Sequence, residues 1–305
     1  MIYPNRLLAG IFCLQLLALA VVSYFDATES AAEHSELFLS FAVDSVDKVA
    51  ISGADGEVAL RKVADGWMVG DELPADGAKI AEVLEKLGSL RLTWPVATSP
   101  GTQDRFEVAA DNHQRFVQLY QGDSAVAEVY LGSSPGYRRV HARQAESNDI
   151  YSLDFATFEV PTAANDWLDK ALLGAAGPIT EISRSDLWTL VKTDAEWVLN
   201  DPVADVSVAA DQSAANALAE RLANLRVLAV ADPDAGAEPE ESARIQITDS
   251  AGAYELQFLH DSAADEYVVT SDRTAGRYTV ASYIAEQIIV DAEALAVDAS
   301  EAPDS

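Results

Sequence analysis

The chain carries an internal repeat, and that repeat constrains its fold more than any other feature. Asp76 to Leu92 aligns without gaps on Asp211 to Val227. Asp76/Asp211, Glu85/Glu220, Leu87/Leu222, Leu90/Leu225 and Arg91/Arg226 are identical pairs. In both copies an aspartate suited to cap a helix precedes an apolar stripe at helical spacing. The stripe is Ile80, Val83, Leu84, Leu87 and Leu90 in one copy, and Ala215, Leu218, Ala219, Leu222 and Leu225 in the other. Further anchors follow in the same order. Trp67 corresponds to Trp197, residues 116–132 lie gaplessly on 244–260, and Tyr151 matches Tyr278. The duplicated unit cannot be a lone helix or hairpin, because its members recur over more than a hundred residues.

Around each helix the pattern is that of short strands and turns. Val46–Ile51 and Val58–Val63 flank a Gly53–Gly56 turn, and Trp67 to Val69 follows an Asp65-Gly66 turn. Further strands are expected at Arg91–Val96, Arg115–Gln121, Ala125–Leu131, Tyr137–Arg143 and Ile150–Ser152. Glu82 and Lys86 have the spacing of a helical ion pair. The expected class is α+β: an N-terminal transmembrane helix followed by two tandem repeats, each an antiparallel meander with a packed helix. The divisions are 1–25 for a cytoplasmic stub and anchor, 26–43 for a juxtamembrane segment, 44–175 and 176–290 for the repeats, and 291–305 for an acidic disordered tail. Ala171–Pro178 reads as the linker.

The anchor reading rests on Leu7 to Phe25, 19 residues without a charge. As a helix this run spans about 28 Å, the thickness of a bilayer core. Arg6 precedes it; Asp26, Glu29, Glu33 and Glu36 follow, and no Lys or Arg appears before Lys48. Positive charge inside then puts the N-terminus in the cytoplasm and the bulk outside. A cleaved signal peptide is the alternative, with a weak cleavage site after Ala32 and Ser30 at the −3 position. Cys13, the single cysteine, falls inside the run, which excludes an internal disulfide and a cysteine-built zinc site. Ala9, Gly10, Ala18 and Ala20 give the run small side chains for close helix approach.

With 50 acidic and 20 basic residues the net charge is −30, so nucleic acid and polybasic membrane docking are excluded. The histidines His34, His113, His141 and His260 lack metal-ligand spacing. Arg139, His141 and Arg143 alternate onto one face of an expected strand, which reads as a solvated face or an anion site. The acidic stretch Asp232 to Glu241 lacks the spacing of a calcium loop. Nucleophile-elbow, phosphate-loop and dinucleotide motifs are missing. Trp67 and Trp197 read as core plugs, with a ligand-stacking platform as the functional alternative.

These segments are similar to one known family. Trp67, Ala75-Asp76 opening "KIAEVLEKLGSLR" (79–91), "VQLYQGDSAVAEVYLG" (117–132), "RRVHAR" (138–143) with "DIYSLD" (149–154), and "NDWLDKALL" (165–173) resemble the domain-of-unknown-function 4340 family. The resemblance runs over roughly 44–290 and departs in the second repeat, where Leu131-Gly132 becomes Leu259-His260. It implies a single-span bacterial envelope protein, often encoded beside an ABC transporter of the gliding-motility-associated type. The expected function is therefore a non-enzymatic, membrane-anchored periplasmic accessory or scaffold with permease or other inner-membrane partners. No cofactor, metal or catalytic residue is expected, and Trp67, Asp76, Leu87, Tyr151, Trp197, Asp211, Leu222 and Tyr278 are structural repeat anchors. An extracytoplasmic module binding a glycan or peptide between the repeats is the second reading, and an exported hydrolase the third.

Overall fold

The computed structural model describes residue 15 and residues 36–297, apart from 65, 72, 186, 202–205, 233–238 and 263. The expected anchor, Cys13, His34, the centre of the acidic loop and the tail beyond 297 lie outside the described residues. Among the described residues, no helix is long and apolar enough to cross a membrane.

The fold is α+β, with antiparallel strand pairs and, among the described residues of 36–297, three α-helices. In chain order the elements are β1 (Lys48–Gly53), β2 (Gly56–Val63), β3 (Gly66–Val69), β4 (Leu73–Ala75), α1 (Gly77–Ser89), β5 (Arg115–Gln121), β6 (Ser124–Leu131), β7 (Val140–Gln144) and β8 (Tyr151–Leu153). They continue as β9 (Glu181–Arg184), β10 (Trp188–Thr193), β11 (Glu196–Asp201), β12 (Val206–Ala209), α2 (Gln212–Ala223), β13 (Val227–Val230), β14 (Glu240–Asp249), β15 (Gly252–Asp261), β16 (Glu266–Ser271), β17 (Tyr278–Val280) and α3 (Ser282–Ile288). Two compact units result. One takes the described residues before Gly66 with Gly77–Asp166, and the other takes Gly66–Asp76 with everything from Trp167 onward.

In the first unit β2, β1, β5, β6, β7 and β8 lie side by side in that order. Alternation sends Val49, Ile51, Leu60, Val117, Leu119, Val129 and Leu131 inward, all nearly inaccessible. Helix α1 buries Ile80, Val83, Leu84 and Leu87, the expected stripe. Lys86 does not pair with Glu82. It reaches Glu159 instead, which is largely shielded and so a stronger partner than an exposed helix neighbour.

The second unit repeats the order: β10, β9, β14, β15, β16 and β17, extended by β11 and β12 beyond β10 and by β13 beyond β17. Asp211 caps α2, its Oδ1 accepting the N–H groups of Ser213 at 2.8 Å and Ala214 at 3.1 Å. Ala215, Leu218 and Leu222 share one core with Trp188, Trp197, Ile245, Ile247, Phe258 and Tyr278. The two long hairpins turn at matching places, between Gln121 and Ser124 and between Asp249 and Gly252.

Two expected strands differ. Arg91–Val96 is no strand: Arg91 bridges Leu37 and Ala97 bridges Ile150, with Pro95 between. Pro95 lacks an N–H and interrupts a ladder. Its counterpart in the second unit has no proline and forms β13. Tyr137–Arg143 begins only at Val140, because Gly136–Arg139 is a tight turn with Arg138 at φ 52°. Ala171–Pro178, expected as a linker, is folded onto the second unit. Leu173 is 1 % exposed there, and the Ala176 N–H donates to Asp249 Oδ2 at 2.8 Å.

Candidate functional site

The eight repeat anchors occupy separate structural positions. Leu87 and Leu222 are both completely inaccessible. Trp197 is buried, and its Nε1 donates to Asn216 Oδ1 at 3.0 Å. Trp67, on β3, is only half-buried. Asp76 directly precedes α1, and its N–H donates to the Trp167 carbonyl at 2.8 Å. Tyr278 is buried with its hydroxyl donating to the Ala275 carbonyl at 2.6 Å. Tyr151 is half-buried, edge-on to Phe38 at 5.7 Å. Burial, then the carboxylates of Asp149 and Glu36, raise its phenol above the ordinary tyrosine range.

Of Arg139, His141 and Arg143, the last two lie on a covered face and only Arg139 is exposed. Arg143 is 4 % exposed and spends its guanidinium on carbonyls: Val108 at 2.8 Å, Gln144 at 3.1 Å, Ala145 at 3.1 Å and Ser147 at 2.9 Å. It lies over Tyr130, which stacks on Phe116. His141 Nδ1 meets Ser133 Oγ at 3.1 Å, and its ring abuts Phe106. Burial pulls both the His141 and Arg143 pKa values down. Arg139 is exposed and bonded to the Ser152 carbonyl and hydroxyl. Alternation correctly put His141 and Arg143 on one side. What sequence could not reveal is that the loop through Phe106 and Val108 covers that side.

The second unit holds a charge pair whose carboxylate is buried. Arg273 grips Asp249 two-pronged, at 2.9 and 3.1 Å, and Asp249 also accepts the N–H groups of Ala176 and Ala251, each at 2.8 Å. Arg273 first, then those backbone donors, hold the Asp249 carboxyl far below the usual carboxylate range against the opposing effect of burial. The same guanidinium lies 3.7 Å over the Tyr254 ring. Burial pushes the Tyr254 phenol up to about 12. These groups tie β14, β15 and the 171–178 segment together. Among the described residues no three His, Cys, Asp or Glu side chains converge as metal ligands.

A concavity lies elsewhere in the second unit, where the end of α2, strand β13 and the start of α3 meet. It has a volume of about 470 Å³ and is lined by Ala217, Glu220, Arg221, Asn224, Arg226, Leu228, Ala281, Tyr283 and Ile284. Local rules explain each exposure. The α2 stripe turns Leu222 and Leu225 inward, which leaves Arg221 and Arg226 on the rim. In β13, Val227 points into the core and Leu228 points out, 56 % exposed. In α3, Ala285 and Ile288 are buried and Tyr283 stands 64 % exposed. Arg221 Nε donates to Gln287 Oε1 at 2.8 Å and ties α2 to α3. Among the described residues the lining holds no histidine, serine or cysteine. It offers an apolar floor, an aromatic wall, two guanidiniums and the Glu220 carboxylate, a net single positive charge that suits binding of a partly apolar chain. Sequence reasoning missed this groove because its walls lie some sixty residues apart. The visible signals were Leu228 and Tyr283, large apolar residues on outward positions.

Among known families, a model described as "Domain of unknown function (DUF4340)" matches residues 67–246. No curated protein and no solved structure matches the chain. The family match runs from β3 into β14 and takes in α1, α2 and β13, though it stops before Tyr283. Since it spans well over half of the 305 residues, the chain belongs to the DUF4340 family of domains of unknown function.

Proposed function

We propose that the protein is a non-enzymatic accessory or scaffold of an ABC-type transport complex. In this reading residues 7–25 anchor it in the bacterial inner membrane with the N-terminus cytoplasmic. Two tandem α+β repeats, 44–175 and 176–290, then stand in the periplasm. The shared strand order of the two sheets supports the repeat. The observation that carries the functional reading is the α2–β13–α3 groove, where Leu228, Tyr283, Arg221 and Arg226 form an exposed apolar and basic surface on a chain of net charge −30. Such a surface binds by shape and charge and has no reactive constellation to offer.

The test is co-purification from gently solubilised native membranes. Intact protein is expected to bring down membrane subunits of an ABC-type complex. Tyr283→Ala with Leu228→Ser is expected to weaken that association at least tenfold while leaving the melting temperature nearly unchanged. A C-terminal alkaline phosphatase fusion is expected to be active. Recovery of the intact protein alone, together with measurable hydrolase turnover, would overturn the reading.

A further inference from the structure

Trp94 stands apart among the five tryptophans. Trp167, Trp188 and Trp197 are at most 2 % exposed and Trp67 is half-buried, whereas Trp94 is 64 % exposed. Val96 at 46 % and Leu37 at 41 % are exposed on the same pair of chain segments, where Leu37 bridges Arg91. This is a presented side chain on a fixed backbone. The Leu92 N–H donates to the Glu36 carbonyl at 2.9 Å on one side of Trp94, and the Val96 N–H donates to the Ile150 carbonyl at 2.7 Å on the other. Pro95 stiffens the step between them. Exposing a large indole from a pinned segment forgoes the burial that the other tryptophans obtain.

The place of this patch in the chain says what it meets. Glu36 to Phe38 pairs antiparallel with Leu90 to Leu92, so the chain coming from the apolar run enters the first unit beside Trp94. Ten residues separate Phe25 from Glu36, a reach of at most about 35 Å. Tryptophan partitions to the headgroup layer, where its ring meets acyl chains and its N–H meets water. Charge does not bring an acidic chain to a lipid surface, so the apolar groups carry the contact.

We infer that Trp94, with Leu37 and Val96, seats the first unit on the headgroup layer of the membrane that the N-terminal run crosses. The inference rests on the anchor reading above and adds a second, non-covalent contact that fixes the unit's orientation.

The experiment uses the full chain in phosphatidylcholine nanodiscs, with and without lipid brominated near the headgroup end of its acyl chains. Tryptophan emission is read for the wild type and for Trp94→Phe, and alkaline carbonate extraction reports insertion. Brominated lipid is expected to remove roughly one-fifth of the wild-type emission, the share of one tryptophan in five. It should remove almost none from Trp94→Phe, whose far-ultraviolet circular dichroism should match the wild type. Protein that resists extraction but shows no bromine quenching would overturn the seating and leave the anchor standing. Equal quenching in Trp94→Phe would also overturn it. Extraction by carbonate would overturn the anchor reading and the seating together. Trp94 emission that responds only to co-purified membrane subunits would make the patch a protein contact and defeat the inference.

Discussion

Gly132 leaves no room for a side chain against Phe106: a Cβ there would overlap the Phe106 carbonyl oxygen, which accepts the Ser133 N–H at 2.9 Å. The loop over β6 and β7 is thus laid directly on bare backbone. His260 takes the matching position in the second unit, where its ring packs on Tyr267 and Asp265 lies 3.5 Å away. Gly132→Ala is expected to cost about 1–3 kcal/mol by overpacking. Denaturant unfolding of the purified chain measures it, and an unchanged midpoint would contradict the packing described.

Asp249 supplies a pH dependence whose sign follows from its depressed carboxyl. The unfolded carboxyl titrates near 4 and the folded one well below, so the native state holds its charge where the unfolded state gains a proton. The stabilisation is therefore complete above about pH 4 and drains away as the pH falls toward the folded value. Asp249→Asn is expected to cost about 3 kcal/mol at pH 7, near the low end for a broken buried pair because Arg273 keeps some solvent. The gap between variant and wild type should narrow below pH 4. A gap that widens in acid would refute the assignment.

Arg143 should behave as a carbonyl clamp. Arg143→Lys keeps the charge but not the fork, so several carbonyls lose their donors. The expected loss is about 1–3 kcal/mol, with faster hydrogen exchange at the loop around Val108. Protection unchanged across that loop would argue against the clamp.

Leu87→Ala and Leu222→Ala should each cost about 2–5 kcal/mol, since both side chains are wholly inaccessible. The tryptophan pair should split instead. Trp197→Ala is expected to cost about 3–5 kcal/mol, and Trp67→Ala clearly less, because Trp67 is only half-buried. Equal thermal losses at the two tryptophans would mean that Trp67 is more enclosed than its exposure indicates.

Local pattern was readable where local forces decide the outcome. Arg115–Gln121 was legible to the residue, because alternation and the Gly122-Asp123 turn agree there. Asp211 was legible as a cap for the same reason. Strand Leu73–Ala75 was missed: three residues around Pro74 carry no period, and they pair with β3 through tertiary context. Glu159 as the partner of Lys86 was out of reach because 73 residues separate them. The groove escaped for the same physical reason, since periodicity tells which side of an element faces out but not what its exposed side stands beside.

The hairpin Gly66–Asp76 is compact with residues from Trp167 onward, while the chain on either side of it belongs to the other unit. Leu73 packs on the second core, Ala75 bridges Leu168, and the Asp169 N–H donates to the Pro74 carbonyl at 2.9 Å. This ordering sets a timetable. The hairpin leaves the ribosome about 90 residues before its packing surface begins, which at about 5–20 residues per second is a wait on the order of 5–20 s. Neither unit is a continuous stretch of message, so a chain stopped between 77 and 166 would carry an early hairpin that still lacks the residues it packs on from Trp167 onward. The fate of a segment made in the first quarter of synthesis is decided by residues made in the second half.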